Sequence, residues 1–192
     1  MYVKDRMNKN VITVQENLLL SKAIGIMREN RHRRLPVVDA MNRPVGILDQ
    51  RGIENVDGAS FMLSNTKISD VMQTGFFKIN ENALIEECAL MMKENKVGFV
   101  PVVDNTGGIT GVITSYDMLK GLMKLLGASG DGCRVIVKGT NFKKLLSVLS
   151  DCDVQSLYID GGNTIVKFTT NDIDTVKYAL TNYFELLYLK AE

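Results

Sequence analysis

The chain has 192 residues, of which 45% are hydrophobic, and its 23 basic and 22 acidic residues leave a formal net charge of +1. This length supports two small domains with real cores, and the balanced charge disfavours nucleic acid or an anionic membrane surface as the main partner. No run is long and uncharged enough to span a bilayer and no apolar signal core follows Met1, so we expect a cytoplasmic protein. Three cysteines without a CxxC spacing and a single histidine argue against a disulfide framework or a zinc site.

The first two thirds of the chain repeat themselves at an offset of 65 residues. The sequence LPVVD at 35–39 recurs as VPVVD at 100–104, and Gly46 matches Gly111. The same register, held without a gap, relates the segment at 5–7 to the segment at 70–72. We therefore expect a tandem pair with pseudo-two-fold symmetry, in which two repeats stack to close one core.

Each repeat predicts one helix followed by a hairpin. Apolar residues at helical spacing form the stripe of each helix: Leu20, Ala23, Ile24 and Met27 in the first, and Ile85, Cys88, Ala89 and Met92 in the second. Asn80 or Asn82 is placed to cap the second helix. Valine-rich strands then form two hairpins, over 35–38 with 45–48 and over 99–103 with 109–113. A closing helix over 115–126 follows.

The glycine-rich segment at 127–132 is the clearest break in composition and predicts a hinge. Beyond it we predict strands over 135–137, 154–159, 164–168 and 184–189 and helices over 142–149 and 173–183, in the ferredoxin-like order βαββαβ. The predicted fold class is α+β. The predicted domains are repeat one at 1–56, a linker at 57–67, repeat two at 68–126, the hinge at 127–132 and a last domain at 133–192.

The junction between the second hairpin and the closing helix carries polar residues suited to an anion. A strand that ends at Ile113 and a helix that starts near Ser115 aim free backbone N–H groups outward, with Thr114 placed to cap them and Asp117 one turn inside. The alternative is that Thr114 is only an N-cap and Asp117 only a first-turn acid favoured by the helix dipole. The repeat context favours ligand binding.

Residues 1–126 resemble a tandem pair of CBS domains, a Bateman module. The resemblance rests on the lead-ins at 3–7 and 68–72, on the two PVVD strands and on the sequence GVITSYD at 111–117. It implies a cleft in which the Thr114 hydroxyl approaches a ligand phosphate and Asp117 accepts hydrogen bonds from ribose hydroxyls. By the same resemblance, adenine lies between a strand around Phe77, Lys78 and Ile79 and the segment Gly98, Phe99, Val100 and Pro101, and Ser115 joins the binding residues.

Repeat one departs from this pattern. Asp49 stands where repeat two has Thr114, and Gly52 stands where repeat two has Asp117. A negative charge thus replaces the phosphate contact and the ribose acceptor is lost, so we expect a degenerate second site around Asp49, Gly52 and Pro36. The basic cluster at 28–34 is placed to grip phosphates, above all through Arg33 and Arg34, although cations at a helix end also offset its dipole while staying solvated.

The last domain resembles an ACT domain in topology and length. Residues 138–141 fill the loop in which amino-acid-binding ACT domains have a glycine, here Gly139, but Asn141 is equally placed to cap the next helix. We therefore favour side-by-side pairing of ACT-like sheets over an amino-acid site. A CBS pair followed by an ACT-like domain resembles the acetoin-utilisation type of bacterial regulatory protein.

These features predict a non-enzymatic regulatory protein that binds an adenine nucleotide or related adenosyl ligand in the CBS cleft and signals by conformational change. AMP, ADP, ATP, cyclic di-AMP and S-adenosylmethionine are the candidate regulatory ligands, and we assign no obligatory cofactor, metal or catalytic residue. The alternative is a ligand-free scaffold whose domains only mediate protein contacts. We expect a homodimer that forms through a helix face and through the ACT-like sheets. The helix face consists of Met118, Leu119, Leu122 and Met123. We also expect a regulated protein, which the sequence does not name.

Overall fold

The computed structural model describes residues 1–54, 65–126 and 132–191. The chain divides into two units, Met1–Met118 and Leu119–Glu192. The predicted linker at 57–67 is described only from residue 65 onward, and the predicted hinge at 127–132 lies outside the described residues apart from Gly132. Within the described ranges, no helix combines the length and the apolar character that crossing a membrane requires.

Both repeats of the first unit contain a short strand, a helix and a hairpin. In each three-stranded sheet the short strand runs parallel to the middle strand, and the hairpin strands are antiparallel. Repeat one consists of β1 (Val14–Gln15), α1 (Leu20–Glu29), β2 (Arg34–Val38), β3 (Pro44–Asp49) and α2 (Gln50–Glu54). Repeat two consists of β4 (Ile79–Asn80), α3 (Ile85–Asn95), β5 (Phe99–Val103), β6 (Ile109–Thr114) and α4 (Ser115–Leu125). The hairpins and long helices occur where predicted, whereas β1 and α2 were not predicted.

The helical stripes face the core with one exception. Leu20, Ala23 and Met27 are buried as predicted, but Ala89 on α3 is exposed. The predicted caps of α3 are also wrong, because the helix begins at Ile85 and its N-cap residue is Leu84. Asn80 instead accepts a hydrogen bond from the backbone N–H of Asn82, 2.9 Å away, in a turn that precedes the helix.

The two repeats exchange their lead-in segments. The backbone N–H of Val3 donates to Ala83 of repeat two over 3.0 Å, and the backbone N–H of Ile68 donates to Leu18 of repeat one over 3.0 Å. Val3 and Ile68 are both fully buried. Val3 packs in the core that contains Cys88, whereas Ile68 packs in the core of repeat one. The first unit therefore has two cores in place of the single core expected from the sequence, and each is completed by the other repeat's lead-in.

Two equivalent glycines allow these lead-ins to approach the hairpins. A Cβ atom on Gly111 would lie 2.7 Å from the backbone oxygen of Asn8, and one on Gly46 would lie 2.6 Å from the Met72 Sδ. Asn8 and Val112 exchange backbone hydrogen bonds of 2.8 and 3.0 Å beside this contact. The glycine of each repeat thus serves close packing against the crossing segment.

The second unit carries a four-stranded antiparallel sheet and two helices in the predicted order βαββαβ. Its strands are β7 (Cys133–Lys138), β8 (Asp153–Asp160), β9 (Asn163–Thr169) and β10 (Leu186–Ala191), and its helices are α5 (Phe142–Val148) and α6 (Ile173–Tyr183). The strands lie in the spatial order β10-β7-β9-β8. Asn141 caps α5 by accepting a hydrogen bond from the Lys144 backbone N–H over 3.2 Å. Of the two roles considered for Asn141, the structure thus shows the helix cap. One face of the sheet packs with both helices around Phe168.

Candidate functional site

Thr114 and Asp117 line a cleft of the first unit. We call this the first cleft; it encloses about 310 Å³. Its other walls include Asn8 and residues 10–12, which follow the lead-in of repeat one. They also include the segment at 31–34, which joins α1 to β2, and Phe99. The polar end of β6 in repeat two therefore faces the lead-in and the basic segment of repeat one.

The second cleft is the pseudo-symmetric counterpart of the first. It encloses about 220 Å³ and is lined by Asp49, by the second lead-in around Phe76 and Phe77, and by residues 96–98. Every residue of its lining is related by the 65-residue offset to a residue of the first cleft. Arg34 and Phe99, which are equivalent positions, line both clefts.

Thr114 and Asp117 form a reciprocal cap at the start of α4. The Thr114 Oγ1 donates to the Asp117 Oδ2 over 2.6 Å, and the Thr114 backbone N–H donates to the same oxygen over 2.9 Å. The Asp117 backbone N–H in turn donates to the Thr114 Oγ1 over 3.2 Å. This capping box fixes both side chains at the helix N-terminus and places them together on the wall of the first cleft.

The first cleft is rich in guanidinium groups. Arg31, Arg33 and Arg34 all line it, against the single carboxylate of Asp117. Arg31 has a positive φ of 54°, and Lys96 at the equivalent position of the second cleft has the same value. A glycine normally takes this left-handed position after a helix. In both clefts a cationic residue takes it instead, although the left-handed conformation is unfavourable for residues with a Cβ.

In the second cleft the carboxylate of Asp49 is already paired. The Arg34 Nε donates to the Asp49 Oδ2 over 2.5 Å, and the Arg51 backbone N–H donates to the Oδ1 over 3.0 Å. Burial raises the pKa of the Asp49 carboxyl, but these two hydrogen bonds and the charge of Arg34 outweigh it and hold the pKa below its ordinary value. Asp49 is therefore ionised and neutralised locally by Arg34.

The structure divides the predicted binding residues between the two clefts. Thr114, Asp117, Arg33 and Pro36 line the first cleft only, and Phe77 and Asp49 line the second only. Phe77, which the sequence interpretation grouped with Thr114, thus lies in the other cleft. A further set lines neither cleft: Lys78, Ile79, Val100, Pro101, Ser115 and Gly52.

Several residues of the first cleft were not among the predicted binding residues. They are Asn8, Asn10, Val11, Ile12 and Val112, whereas Arg31 and His32 belong to the basic cluster that was predicted to grip phosphates. Val100, by contrast, is fully buried in the core of repeat two. The 65-residue offset contained a usable signal, because the positions equivalent to Phe76 and Phe77 are Val11 and Ile12, but nothing in the sequence said that the lead-ins cross.

The cysteines have environments typical of packing residues. Cys88 is fully buried in the core of repeat two, and burial raises the pKa of its thiol to about 11. Burial also raises the pKa of Cys133. In the described part of the chain, no three His, Cys, Asp or Glu side chains are grouped so that they could hold a metal ion.

Sequence comparison matches a CBS domain twice, at residues 3–56 and 68–124. The chain is 29% identical over 134 residues to a CBS domain-containing protein of Dictyostelium discoideum, covering 65% of this chain and 92% of that protein. Other curated relatives are longer: the chain spans 49% of the protein MJ1225 of Methanocaldococcus jannaschii.

Solved structures show the same likeness. AcuB from Vibrio cholerae, a candidate acetoin utilization protein, is 28% identical with a TM-score of 0.60, covering 68% of this chain and 98% of that one. The CBS domain pair of protein MJ0100, solved with 5′-methylthioadenosine and S-adenosyl-L-methionine, is 27% identical with a TM-score of 0.55, covering 64% of this chain and 95% of that one. With two CBS domains matched over more than half of its length, the chain belongs to the CBS domain family.

Proposed function

We propose that the protein is a non-enzymatic sensor that binds an adenosyl ligand carrying phosphate in the first cleft. The observation that carries this proposal is the convergence of three arginines with the Thr114–Asp117 pair on one cleft. The adenosyl ligands bound by the related CBS pair of MJ0100 support the nucleoside part of the proposal.

The chemistry of the first cleft matches the two ends of a nucleotide. Guanidinium groups at 31, 33 and 34 offer bidentate donors to phosphate oxygens. Among the described residues, both bonds from Thr114 to Asp117 end on the Oδ2, which leaves the Oδ1 of the same carboxylate as an acceptor for ribose hydroxyls. Val11 and Ile12 supply an apolar wall for the base. AMP, ADP and ATP fit this charge pattern best.

The second cleft lacks two of these features. Its threonine equivalent is Asp49, a carboxylate that offers phosphate no hydrogen-bond donor, and Gly52 carries no acceptor for ribose. A phosphate-bearing ligand therefore prefers the first cleft.

The remaining parts of the chain suit assembly and signalling. The side chains of Leu119, Leu122 and Met123 on α4 are between 44% and 54% exposed, which leaves an apolar stripe for a second copy of the chain. Met118 packs instead against the core of repeat two. The βαββαβ unit acts as an ACT-like pairing domain, and the dimer passes the ligand-dependent change to a regulated protein in the cytoplasm.

A thermal-shift assay with a ligand panel tests the proposal. The panel contains AMP, ADP, ATP, cyclic di-AMP, S-adenosylmethionine and 5′-methylthioadenosine. A ligand at 100 times its dissociation constant stabilises the protein by about 2.7 kcal/mol, which raises the melting temperature measurably. Stabilisation by a phosphate-bearing member supports the sensor. Unchanged melting with every member contradicts it and favours a ligand-free scaffold.

A further inference from the structure

Arg34 is shared by the two clefts and is already committed to one of them. Its side chain lines both, and its Nε lies 2.5 Å from the Asp49 Oδ2 of the second cleft. The Arg34 side chain is 37% exposed and that of Asp49 is 22% exposed, so the pair is partly shielded but reachable from solvent. An anion that enters the first cleft therefore meets a guanidinium that Asp49 already holds.

The arrangement is asymmetric because the equivalent pair in repeat two is uncharged. Arg34 stands opposite Asp49 in the antiparallel register of β2 and β3, and Phe99 stands opposite Thr114 in the same register of β5 and β6. The hairpin of repeat two thus offers no matching ion pair at this position. Of the two described residues that line both clefts, Arg34 and Phe99, only Arg34 carries a charge.

We propose, building on the function proposed above, that Arg34 couples the two clefts as a charge switch. An anionic ligand in the first cleft competes with Asp49 for the guanidinium. When the ligand wins, the carboxylate of Asp49 is left without its partner in the second cleft. That cleft then disfavours a second anion and favours a neutral or cationic adenosyl ligand.

Two consequences follow for ligand occupancy. One phosphate-bearing ligand binds per chain, because the first such ligand makes the second cleft more negative. An uncharged adenosine derivative is not excluded from the second cleft, where Phe76 and Phe77 offer aromatic surface and Lys96 and Gln73 offer donors. By linkage, each ligand changes the affinity of the other by the same factor.

Calorimetric titration with ADP tests the competition through four proteins: wild type, Asp49→Asn, Arg34→Met and the double variant. Asp49→Asn removes the competing charge with little change in shape, so we expect ADP to bind about two- to fivefold more tightly. Arg34→Met weakens ADP binding, and in its background Asp49→Asn has no further effect. Glu29→Gln removes one exposed acid of repeat one that is not part of either cleft lining and serves as the charge control.

The outcomes separate this inference from the function on which it rests. If ADP binds the wild type but Asp49→Asn leaves its affinity unchanged, the coupling is wrong and the sensor stands. If Asp49→Asn tightens ADP binding equally with and without Arg34, the coupling is also wrong, because the negative charge of Asp49 then acts on ADP directly and not by competing for Arg34. If ADP binds none of the proteins, the nucleotide site fails and the switch fails with it. A second ADP equivalent in wild type, bound as tightly as the first, also overturns the switch.

Discussion

The Thr114 hydroxyl and the Asp117 carboxylate are bonded to each other over 2.6 Å, so one pair of side chains both caps α4 and lines the first cleft. A hydroxyl-to-carboxylate bond of the same length occurs in the second unit with the two residues in reverse order: Asp172 caps α6, and the Thr175 Oγ1 donates to the Asp172 Oδ2 over 2.6 Å. The two pairs differ in their surroundings: the first lines a cleft that it shares with three arginines, whereas the second lines neither of the two clefts described above. The chain therefore contains its own control for separating a cap from a binding site.

Thr114→Ala removes the acceptor for the Asp117 backbone N–H and half of the capping box. We expect the free energy of unfolding to fall by about 1 kcal/mol, as for the loss of other N-terminal caps. Urea unfolding followed by circular dichroism measures this change. Stability equal to that of the wild type would show that the cap does not hold α4.

Ile68→Ala opens a cavity in the core of repeat one, although residue 68 belongs to repeat two in sequence. We expect a loss of about 2–5 kcal/mol, whereas Leu90→Ala, at a position 52% exposed, should change stability by less than about 0.5 kcal/mol. Native-state hydrogen exchange locates the effect: α1 and β2 should exchange faster. Faster exchange confined to α3 and β5 would contradict the exchange of lead-ins.

Gly111→Ala tests how closely the crossing lead-in approaches β6. The added Cβ would lie 2.7 Å from the Asn8 carbonyl oxygen, which is backbone and cannot swing away, so we expect a loss of about 1–3 kcal/mol. Gly25→Ala is the matched control, because nothing lies within 4 Å of its added Cβ and α1 gains about 0.5–1 kcal/mol from the better helix former. Equal stabilities of the two variants would argue against the close approach.

Arg31→Gly relieves a left-handed backbone position while removing a cation from the first cleft. The φ of 54° suits glycine, so we expect stability to stay level or to rise by up to about 1 kcal/mol, while nucleotide affinity falls. Lys96→Gly makes the same backbone change beside the second cleft and should leave nucleotide affinity nearly unchanged. Melting curves and nucleotide titrations of both variants check this. Equal nucleotide affinities of the two variants would contradict the assignment of nucleotide binding to the first cleft.

Local patterns predicted the elements well because their causes are local. The strand over 99–103 and the helix over 173–183 were predicted to the residue, since apolar spacing and flanking turns define them. The capping pair at Thr114 and Asp117 was also readable, because its partners are three residues apart. Such contacts need no knowledge of how distant segments meet.

Non-local relationships were not readable in the same way. The 65-residue offset tells which positions are equivalent but not which copy packs on which, so Phe77 was grouped with Thr114 when its counterpart Ile12 lines that cleft. Asp49 and Arg34 were each noted, yet their pairing depends on the hairpin register, which places them opposite each other. Lys167 lies in a predicted strand, but its burial to 1% exposure depends on packing that the strand pattern does not contain.

The most direct measurement is a calorimetric titration of wild type, Asp117→Ala and Asp172→Ala with the phosphate-bearing ligand that stabilises the wild type most. If the first cleft is the binding site, Asp117→Ala weakens binding at least tenfold, about 1.4 kcal/mol, while Asp172→Ala, which loses a threonine–aspartate bond of the same length at another helix start, binds as the wild type does. Equal affinities for all three proteins, each shown to be folded, would contradict ligand binding through Asp117 in the first cleft.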